Sequence, residues 1–441
     1  MKKKFRLWFN IVTICLCVCA IAIGVYAATS ATLTVSGTIG FEAHGLSFTA
    51  TAKAKCYVTD PDDPSTYKAD YQTFDNLTNN KITLDDMYFT DLVGETVPTI
   101  EIQISITNGS LFPVEAMLSL PETTLLQTNI TFDVGNGLAQ MGDTNDTDTK
   151  TQTITIKMTL NNAETTDLEE LQGLNFTISL SKLAKIKGDS TNGYYMTMGS
   201  KVVTTNSIQQ VQPVKWLPFA ESSDGTTWTA FDNTNKPDNS KQYYFISEKV
   251  LDVGDVAFGA TIPNETLKSG IRYNYSNSSG FDETYNTLAG NNYLATDVRE
   301  FLKGATKTKN NKQENLFDIY NISGYVYNTI KPRTASDLYE KDSKGNEFST
   351  INQTYSMLTT GDNEADKLWL LSNAEVNYLS AEQKSAITFN QDYGSYWWLR
   401  TPGQLNDNYG TAVTKTASIV PIMPDTNEYG IRPAFQFDLS K

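Results

Sequence analysis

Histidine and cysteine are nearly absent from this sequence, and their scarcity excludes several kinds of chemistry. With His44 as the single histidine, a His-rich zinc site is excluded and a Ser-His-Asp or Cys-His nucleophile could form only around that residue. We expect His44 to be structural. Three of the four cysteines, Cys15, Cys17 and Cys19, lie in an N-terminal apolar run, which leaves Cys56 without a disulfide partner in a mature chain. Buried apolar surface must therefore stabilise the fold.

Positive charge is also in short supply. The chain carries 35 lysines and arginines against 50 acidic residues, a formal net charge of −15. An acidic surface disfavours nucleic acids and anionic lipids, so we predict no nucleic-acid partner. Charged residues make up only 19% of the chain, whereas Asn, Thr, Ser and Tyr are abundant. This composition is typical of exposed, β-rich secreted proteins.

The N-terminus has the three parts of a secretory signal peptide. A basic head at residues 2–6 precedes an apolar run at residues 7–28, which ends in small residues around Ala27 and Ala28. We predict a signal peptide at residues 1–27, export by the Sec pathway and an extracellular or cell-surface location. The alternative is a retained anchor, because the run is long enough to span a bilayer. The membrane would then be contacted only through this N-terminal helix.

Residues 28–185 show the period-two alternation of half-buried strands. The clearest runs are Leu33/Val35/Gly37/Ile39/Phe41, Ile100/Ile102/Ile104/Ile106, Ile154/Ile156/Met158/Leu160 and Leu174/Phe176/Ile178/Leu180. Turn-rich stretches separate them, which predicts an all-β, immunoglobulin-like antiparallel sandwich. The segments 84–91 and 107–110 resemble the camelysin-like sandwich domains of secreted Firmicute proteins, some of which are fibre subunits.

An acidic loop at residues 143–148 raises the question of calcium. Asp143, Asn145, Asp146 and Asp148 supply oxygen atoms, but the glycine and the distant glutamate of an EF-hand loop are missing. We therefore interpret the loop as a solvated turn and predict no metal and no cofactor.

The composition changes after a polar linker at residues 186–192. Five of the six tryptophans lie beyond it, and the pattern becomes mixed. The pattern of apolar and polar residues at 297–302 predicts an amphipathic helix. The pattern at 367–372 predicts a buried strand, followed by a short helix at 373–379. We predict an α+β domain at residues 193–441.

Two motifs close this domain, Tyr-Trp-Trp-Leu-Arg-Thr-Pro-Gly at residues 396–403 and Gly-Ile-Arg-Pro-Ala at residues 430–434. Together with segments at residues 194–199, 214–216, 295–302 and 368–375, they resemble a family of domains of unknown function in secreted proteins of gut Firmicutes. The resemblance implies a C-type-lectin-like fold, which formylglycine-generating enzymes share. Those enzymes need a reactive cysteine pair, and residues 193–441 contain no cysteine.

The motif residues allow two interpretations. Trp397 and Trp398 would point to opposite faces of a strand, so that one enters the core and the other lines a surface. Arg400 and Arg432 would either pin the closing loops of the fold or, with Tyr409, line a concave site for a sugar or peptide. Both interpretations stay open at this point.

Three functions follow from these patterns. The favoured hypothesis is a non-catalytic ligand-binding or adhesion module carried on a β-sandwich stalk, with no catalytic residues. The second is a structural subunit of an extracellular matrix or fibre. The third is a hydrolase that uses paired carboxylates, although no acidic pair stands out by its spacing.

Overall fold

The structure is a computed structural model in which β-strands predominate. It describes residues 33–59, 71–89, 97–121, 130–160, 172–251, 297–304, 307–309, 312–314, 316–333, 366–385, 397–402, 410–414, 416–422 and 430–441. The predicted signal peptide, including Ala27 and Ala28, and Tyr409 lie outside the described residues. None of the described helices is both long and apolar enough to cross a membrane.

The chain folds into two compact units. Unit 1 comprises Met1–Lys182 and Val202–Gln212, and unit 2 comprises Leu183–Lys201 and Pro213–Lys441. The strands of unit 1 are β1 (Leu33–Ala43), β2 (Phe48–Thr59), β3 (Gln72–Phe74), β4 (Lys81–Phe89), β5 (Val97–Asn108), β6 (Val114–Ser119), β7 (Ile130–Gly135), β8 (Leu138–Met141), β9 (Thr151–Leu160) and β10 (Gln172–Lys182).

Unit 1 is built from two five-stranded sheets with the orders β4-β1-β10-β6-β8 and β3-β2-β5-β9-β7. The four alternating runs found in the sequence form β1, β5, β9 and β10. The prediction of an entirely antiparallel arrangement is wrong in one pairing, because β1 runs parallel to β10 from Ser36↔Gln172 to Ala43↔Leu180. Alternation reveals which face of a strand is buried but not the direction of its neighbour, so the sequence pattern could not reveal this pairing.

Both sheets of unit 1 contribute to one hydrophobic core. In β5, Ile100, Ile102, Ile104 and Ile106 are fully buried, and Ile102 pairs with residues of β2 and β9 on either side. Each such side chain contributes about 1.5–3 kcal/mol by leaving water. Cys56 lies in this core as a free thiol, and burial raises its pKa to about 12.

The strands of unit 2 are more numerous and mostly shorter. They are β11 (Lys187–Asp189), β12 (Gly193–Thr205), β13 (Ile208–Ser222), β14 (Thr229–Ala230), β15 (Gln242–Ser247), β16 (Lys307–Lys309), β17 (Lys312–Glu314), β18 (Trp369–Leu370), β19 (Trp397–Pro402), β20 (Gly410–Val413), β21 (Ile419–Ile422) and β22 (Pro433–Asp438). The segment interpreted as a linker, residues 186–192, contains β11, which pairs with β12.

Five short helices complete the described part of unit 2. They are α1 (Asp297–Leu302), α2 (Leu316–Tyr320), α3 (Tyr325–Thr329), α4 (Asn373–Val376) and α5 (Ala381–Lys384). The main sheet has the order β11-β12-β13-β15-β22-β18, with β14 paired to β13, and a second sheet has the order β19-β20-β21. The helix predicted at residues 297–302 is confirmed as α1, whereas the strand predicted at residues 367–372 is reduced to the two residues of β18.

The hairpin of β12 and β13 supplies residues to both units. Its two-residue turn is formed by Asn206 and Ser207, both with positive φ, as a tight hairpin of this type requires. Near the tip, Val211 joins the core of unit 1. The Gln209 side chain accepts a hydrogen bond from the Phe132 backbone N–H (3.0 Å) and donates one to the Ile130 carbonyl (2.8 Å). Gln209 thus occupies the open edge of β7 as a further strand would.

Candidate functional site

Trp397 and Trp398, the paired tryptophans of the first closing motif, stand at the start of β19. Both side chains are fully buried in the core of unit 2, so neither presents a ring to solvent. The Trp397 indole N–H donates to the Lys384 carbonyl (3.2 Å), and the Trp398 backbone N–H donates to the Gly430 carbonyl (3.2 Å). The first closing motif is therefore bonded directly to the second.

Arg400, three residues along the same strand, is also buried. Its Nη1 donates to the Leu370 carbonyl (2.7 Å) and forms an ion pair with Glu375, whose other oxygen binds Arg333 (2.8 Å). Burial favours protonation of Glu375, but Arg400 and Arg333 outweigh it and lower the pKa of that carboxyl to about 2. Glu375 also closes a capping box with Ser372 at the N-terminus of α4.

A second buried ion pair ties α1 to the chain next to β18. Arg299 donates from Nε and Nη2 to both oxygens of Asp366, at 2.8 and 3.0 Å, and both side chains are almost completely buried. The backbone of Asp366 exchanges two hydrogen bonds with that of Arg333. A bidentate pair of this kind fixes both position and orientation.

Arg432, the arginine of the second motif, is completely buried. It donates to three backbone carbonyls, those of Ser247 (2.9 Å), Glu248 (3.3 Å) and Gln383. Its guanidinium carbon lies 5.2 Å from the centre of the Trp397 ring. Burial lowers the pKa of Arg432 to about 9, against the opposing influence of Glu248, so the group stays charged at neutral pH. Arg432 joins the end of β15 to α5.

These contacts place four of the five predicted ligand-binding residues, Trp397, Trp398, Arg400 and Arg432, inside the fold as structural ties. The fifth, Tyr409, lies outside the described residues. Beside Arg432, however, the structure contains a cleft of about 1080 Å³ that the sequence patterns did not reveal. We call it the α5 cleft.

The α5 cleft is a groove within unit 2. Its residues come from β13 (Leu217), the segment from Ala230 to Thr234, residues 248–249 after β15, the segment from Asn377 to Ser385 around α5, and Arg432. Its volume lies just above the usual range of small-molecule sites, about 300–1,000 Å³. It therefore has room for an extended ligand.

Local hydrogen bonds hold the walls of the α5 cleft. On one wall, Ser380 and Gln383 form a capping box that starts α5. On the other, the carboxylate of Asp232 accepts from the Thr234 backbone N–H (2.9 Å) and hydroxyl (2.9 Å). The carbonyl of Asn233 accepts from the backbone of Tyr194 (2.7 Å). Arg432 bonds to Gln383 on the α5 wall and to Ser247 and Glu248 at the end of β15, so the second motif ties the α5 wall to that strand.

Two aromatic side chains line the α5 cleft, Phe231 and Tyr378. Both are half-buried and pack against the core of unit 2. The Phe231 ring makes an edge-to-face contact with Tyr243, with 5.0 Å between ring centres. This contact holds the Phe231 ring in place beside the cleft. The Ser-x-x-Gln pattern at residues 380–383, typical of a capping box, is a signal by which the sequence could have pointed to this region.

The acidic loop of unit 1 is satisfied by its own backbone. Asp146 accepts from the backbone of Asp148 and Thr149 and from the Thr149 hydroxyl (2.7 Å), while Asp143 accepts from the backbone of Asn145 (2.8 Å). Across the described residues, no cluster of His, Cys, Asp and Glu side chains has the arrangement of a metal site. The loop is therefore a hydrogen-bonded turn.

A comparison with known protein families gave a match to most of unit 2. Searches of curated proteins and of solved structures gave no significant match. Residues 271–439 match the family described as "Domain of unknown function (DUF6273)". The match includes Arg299, Arg400 and Arg432 and the α5 wall of the cleft, but it excludes the wall at residues 230–234. The C-terminal part of the chain therefore contains a DUF6273 domain, which confirms the prediction of a domain of unknown function there.

Proposed function

We propose that this chain is an exported bacterial surface protein whose C-terminal unit binds an extracellular ligand without transforming it. The observation that carries the proposal is the α5 cleft, whose α5 wall is held by a capping box and by the bond from Arg432 to Gln383. Under this proposal the signal segment directs export, unit 1 is a sandwich stalk, and unit 2 has the C-type-lectin-like fold that the motif resemblance implies.

The acidic groups of the cleft support binding rather than hydrolysis. A general acid needs a carboxyl group with a raised pKa. Hydrogen bonds from Thr234 lower the pKa of Asp232, and hydrogen bonds from its own backbone N–H and from Ser380 lower that of Glu382. Both groups are therefore poor proton donors at neutral pH.

The sheet edges of unit 1 weigh against the fibre hypothesis. Growth of a fibre by strand addition needs a long open edge. The β7 edge is occupied by Gln209, and the edge strands β3 and β8 have only three and four residues. Among the four described edge strands of unit 1, the nine-residue β4 is the longest and is where the fibre alternative would need strand addition to occur.

The proposal is tested by arrays of neutral glycans, acidic glycans and peptides, probed with the full secreted chain. We expect saturable binding that Tyr378→Ala weakens and Tyr195→Ala does not. Tyr195 is a matched control because it is a half-buried tyrosine of unit 2 outside the cleft. Mass spectrometry of the ligand after incubation with the protein should show an unchanged mass. Chemical change of the ligand would establish an enzyme instead, and no binding on any array would refute the proposal.

A further inference from the structure

We infer that the α5 cleft takes a neutral oligosaccharide. This inference rests on the proposed binding function and adds the chemical class of the ligand. Three properties of the cleft carry it: the balance of its charges, the polar groups on its walls and the two aromatic rings at its surface.

The cations of the cleft are already engaged, which disfavours an anionic ligand. Arg432 gives three of its hydrogen bonds to backbone carbonyls, and Lys249 also has a partner within the protein. The same cleft contains the carboxylates of Asp232, Glu248 and Glu382. Among the described lining residues, a phosphate or uronate would thus meet three negative groups against two positive ones that already have partners within the protein, so electrostatics disfavours it.

The remaining polar groups suit hydroxyl-rich ligands. Asn233, Thr234, Asn377, Ser380 and Ser385 line the cleft and are exposed or half-buried. The three hydroxyls each make a hydrogen bond within the protein and keep further acceptor capacity. Amides and hydroxyls both donate and accept hydrogen bonds, as sugar hydroxyls do. The carboxylates add acceptors for sugar O–H donors, and such charge-assisted bonds are stronger than neutral ones.

The rings of Phe231 and Tyr378 supply the apolar part of the site. A sugar ring has an apolar C–H face that packs well on an aromatic side chain, while its hydroxyls point to the polar rim. Two such rings in one cleft of about 1080 Å³ match a ligand of several sugar units rather than one.

Titration calorimetry of the full secreted chain tests the inference. The probes are neutral tetrasaccharides of glucose, N-acetylglucosamine, mannose and xylose, with a sulfated tetrasaccharide and a lysine-rich peptide as charged alternatives. We expect at least one neutral probe to bind. Its affinity should fall about tenfold in Phe231→Ala and Tyr378→Ala, and remain within about twofold in Tyr195→Ala. Circular dichroism and tryptophan fluorescence confirm that each variant is folded.

Salt dependence separates the ligand classes. Binding of a neutral sugar should change less than about twofold between roughly 50 mM and 500 mM salt, because no charge is screened. If only the charged probes bind at the cleft, the inference is overturned while the binding function survives. If none of the probes binds, or if Tyr378→Ala and Tyr195→Ala bind equally well, the oligosaccharide assignment is wrong. The arrays then decide separately whether any binding function remains.

Discussion

The two units of this chain differ in what fills their interiors. The core of unit 1 is largely aliphatic and comes from alternate residues of two sheets. Unit 2 instead surrounds three buried arginines, Arg299, Arg400 and Arg432, with tryptophan, tyrosine and phenylalanine. An aliphatic core tolerates exchange of one apolar residue for another of similar volume. A buried arginine tolerates few substitutions, because each of its N–H donors must keep a hydrogen-bond acceptor.

This difference explains why unit 2 has recognisable motifs and why those motifs reveal little about function. The arginines of α1, of β19 and of the Gly-Ile-Arg-Pro-Ala segment all form structural ties, two of them to carboxylates and one to carbonyls. Their spacing in the sequence therefore records how the domain is held together. Under the proposed function, the groups available to a ligand are the less distinctive residues of the α5 cleft.

The largest expected effect is the loss of one partner of the fully buried pair. Arg299→Met leaves the Asp366 carboxylate buried without its bidentate donor, so we expect the free energy of unfolding of unit 2 to fall by about 3–5 kcal/mol. Urea denaturation followed by tryptophan fluorescence reports mainly on this unit, because every tryptophan except Trp8 lies in unit 2.

A double variant and a surface variant test whether the unpaired Asp366 carboxylate causes the loss of stability in Arg299→Met. Arg299→Met combined with Asp366→Leu removes both charges and should recover most of the lost stability. Lys236→Met removes a positive charge from an exposed loop of unit 2 and should change stability by less than about 0.5 kcal/mol. A double variant as unstable as the single one would show that the cost arises from packing rather than from an unpaired charge.

The next effect concerns acid and the carboxyl of Glu375. Its folded pKa of about 2 lies below its usual value of 4.5, so its contribution to stability is present above about pH 4.5 and is lost as the pH falls towards 2. Glu375→Gln should therefore be less stable than the parent at neutral pH. The difference should narrow by about 2 kcal/mol between roughly pH 6 and pH 3.

Urea titrations of both proteins across that pH range provide the measurement. Other acidic groups titrate alike in the two proteins, so the difference between them isolates Glu375. A difference that stays constant with pH would mean that Arg400 and Arg333 do not hold this carboxyl ionised.

The amount that the sequence could predict also differs between the units. In unit 1, residue alternation predicted β1, β5, β9 and β10 because burial on one face of a strand repeats every second residue. In unit 2 the strand predicted at residues 367–372 comprises only Trp369–Leu370. The apolar residues on either side of it are buried in the core, but their backbone is irregular. The α5 cleft escaped prediction because its two walls are far apart in the chain and contain common turn and cap residues.

The smallest expected effect concerns the β7 edge, where the backbone is hydrogen-bonded to the Gln209 side chain instead of to another strand. Gln209→Leu keeps most of the side-chain volume but removes both hydrogen bonds to the β7 backbone. We expect a loss of about 1–2 kcal/mol in unit 1, seen as faster hydrogen exchange at the amide of Phe132. The exposed edge should also make the protein associate as its concentration rises, which sedimentation velocity would detect.

Gln212→Leu is the matched control, because it makes the same substitution in the same segment of unit 1 at a half-buried position. It should leave exchange at Phe132 and the sedimentation profile unchanged. If Gln209→Leu remains monomeric while its β7 amides exchange faster, the cap stabilises the edge without guarding against association. If exchange at Phe132 is also unchanged, water fully replaces the hydrogen bonds of the Gln209 side-chain amide. The β7 edge of unit 1 then needs no side chain to cover it.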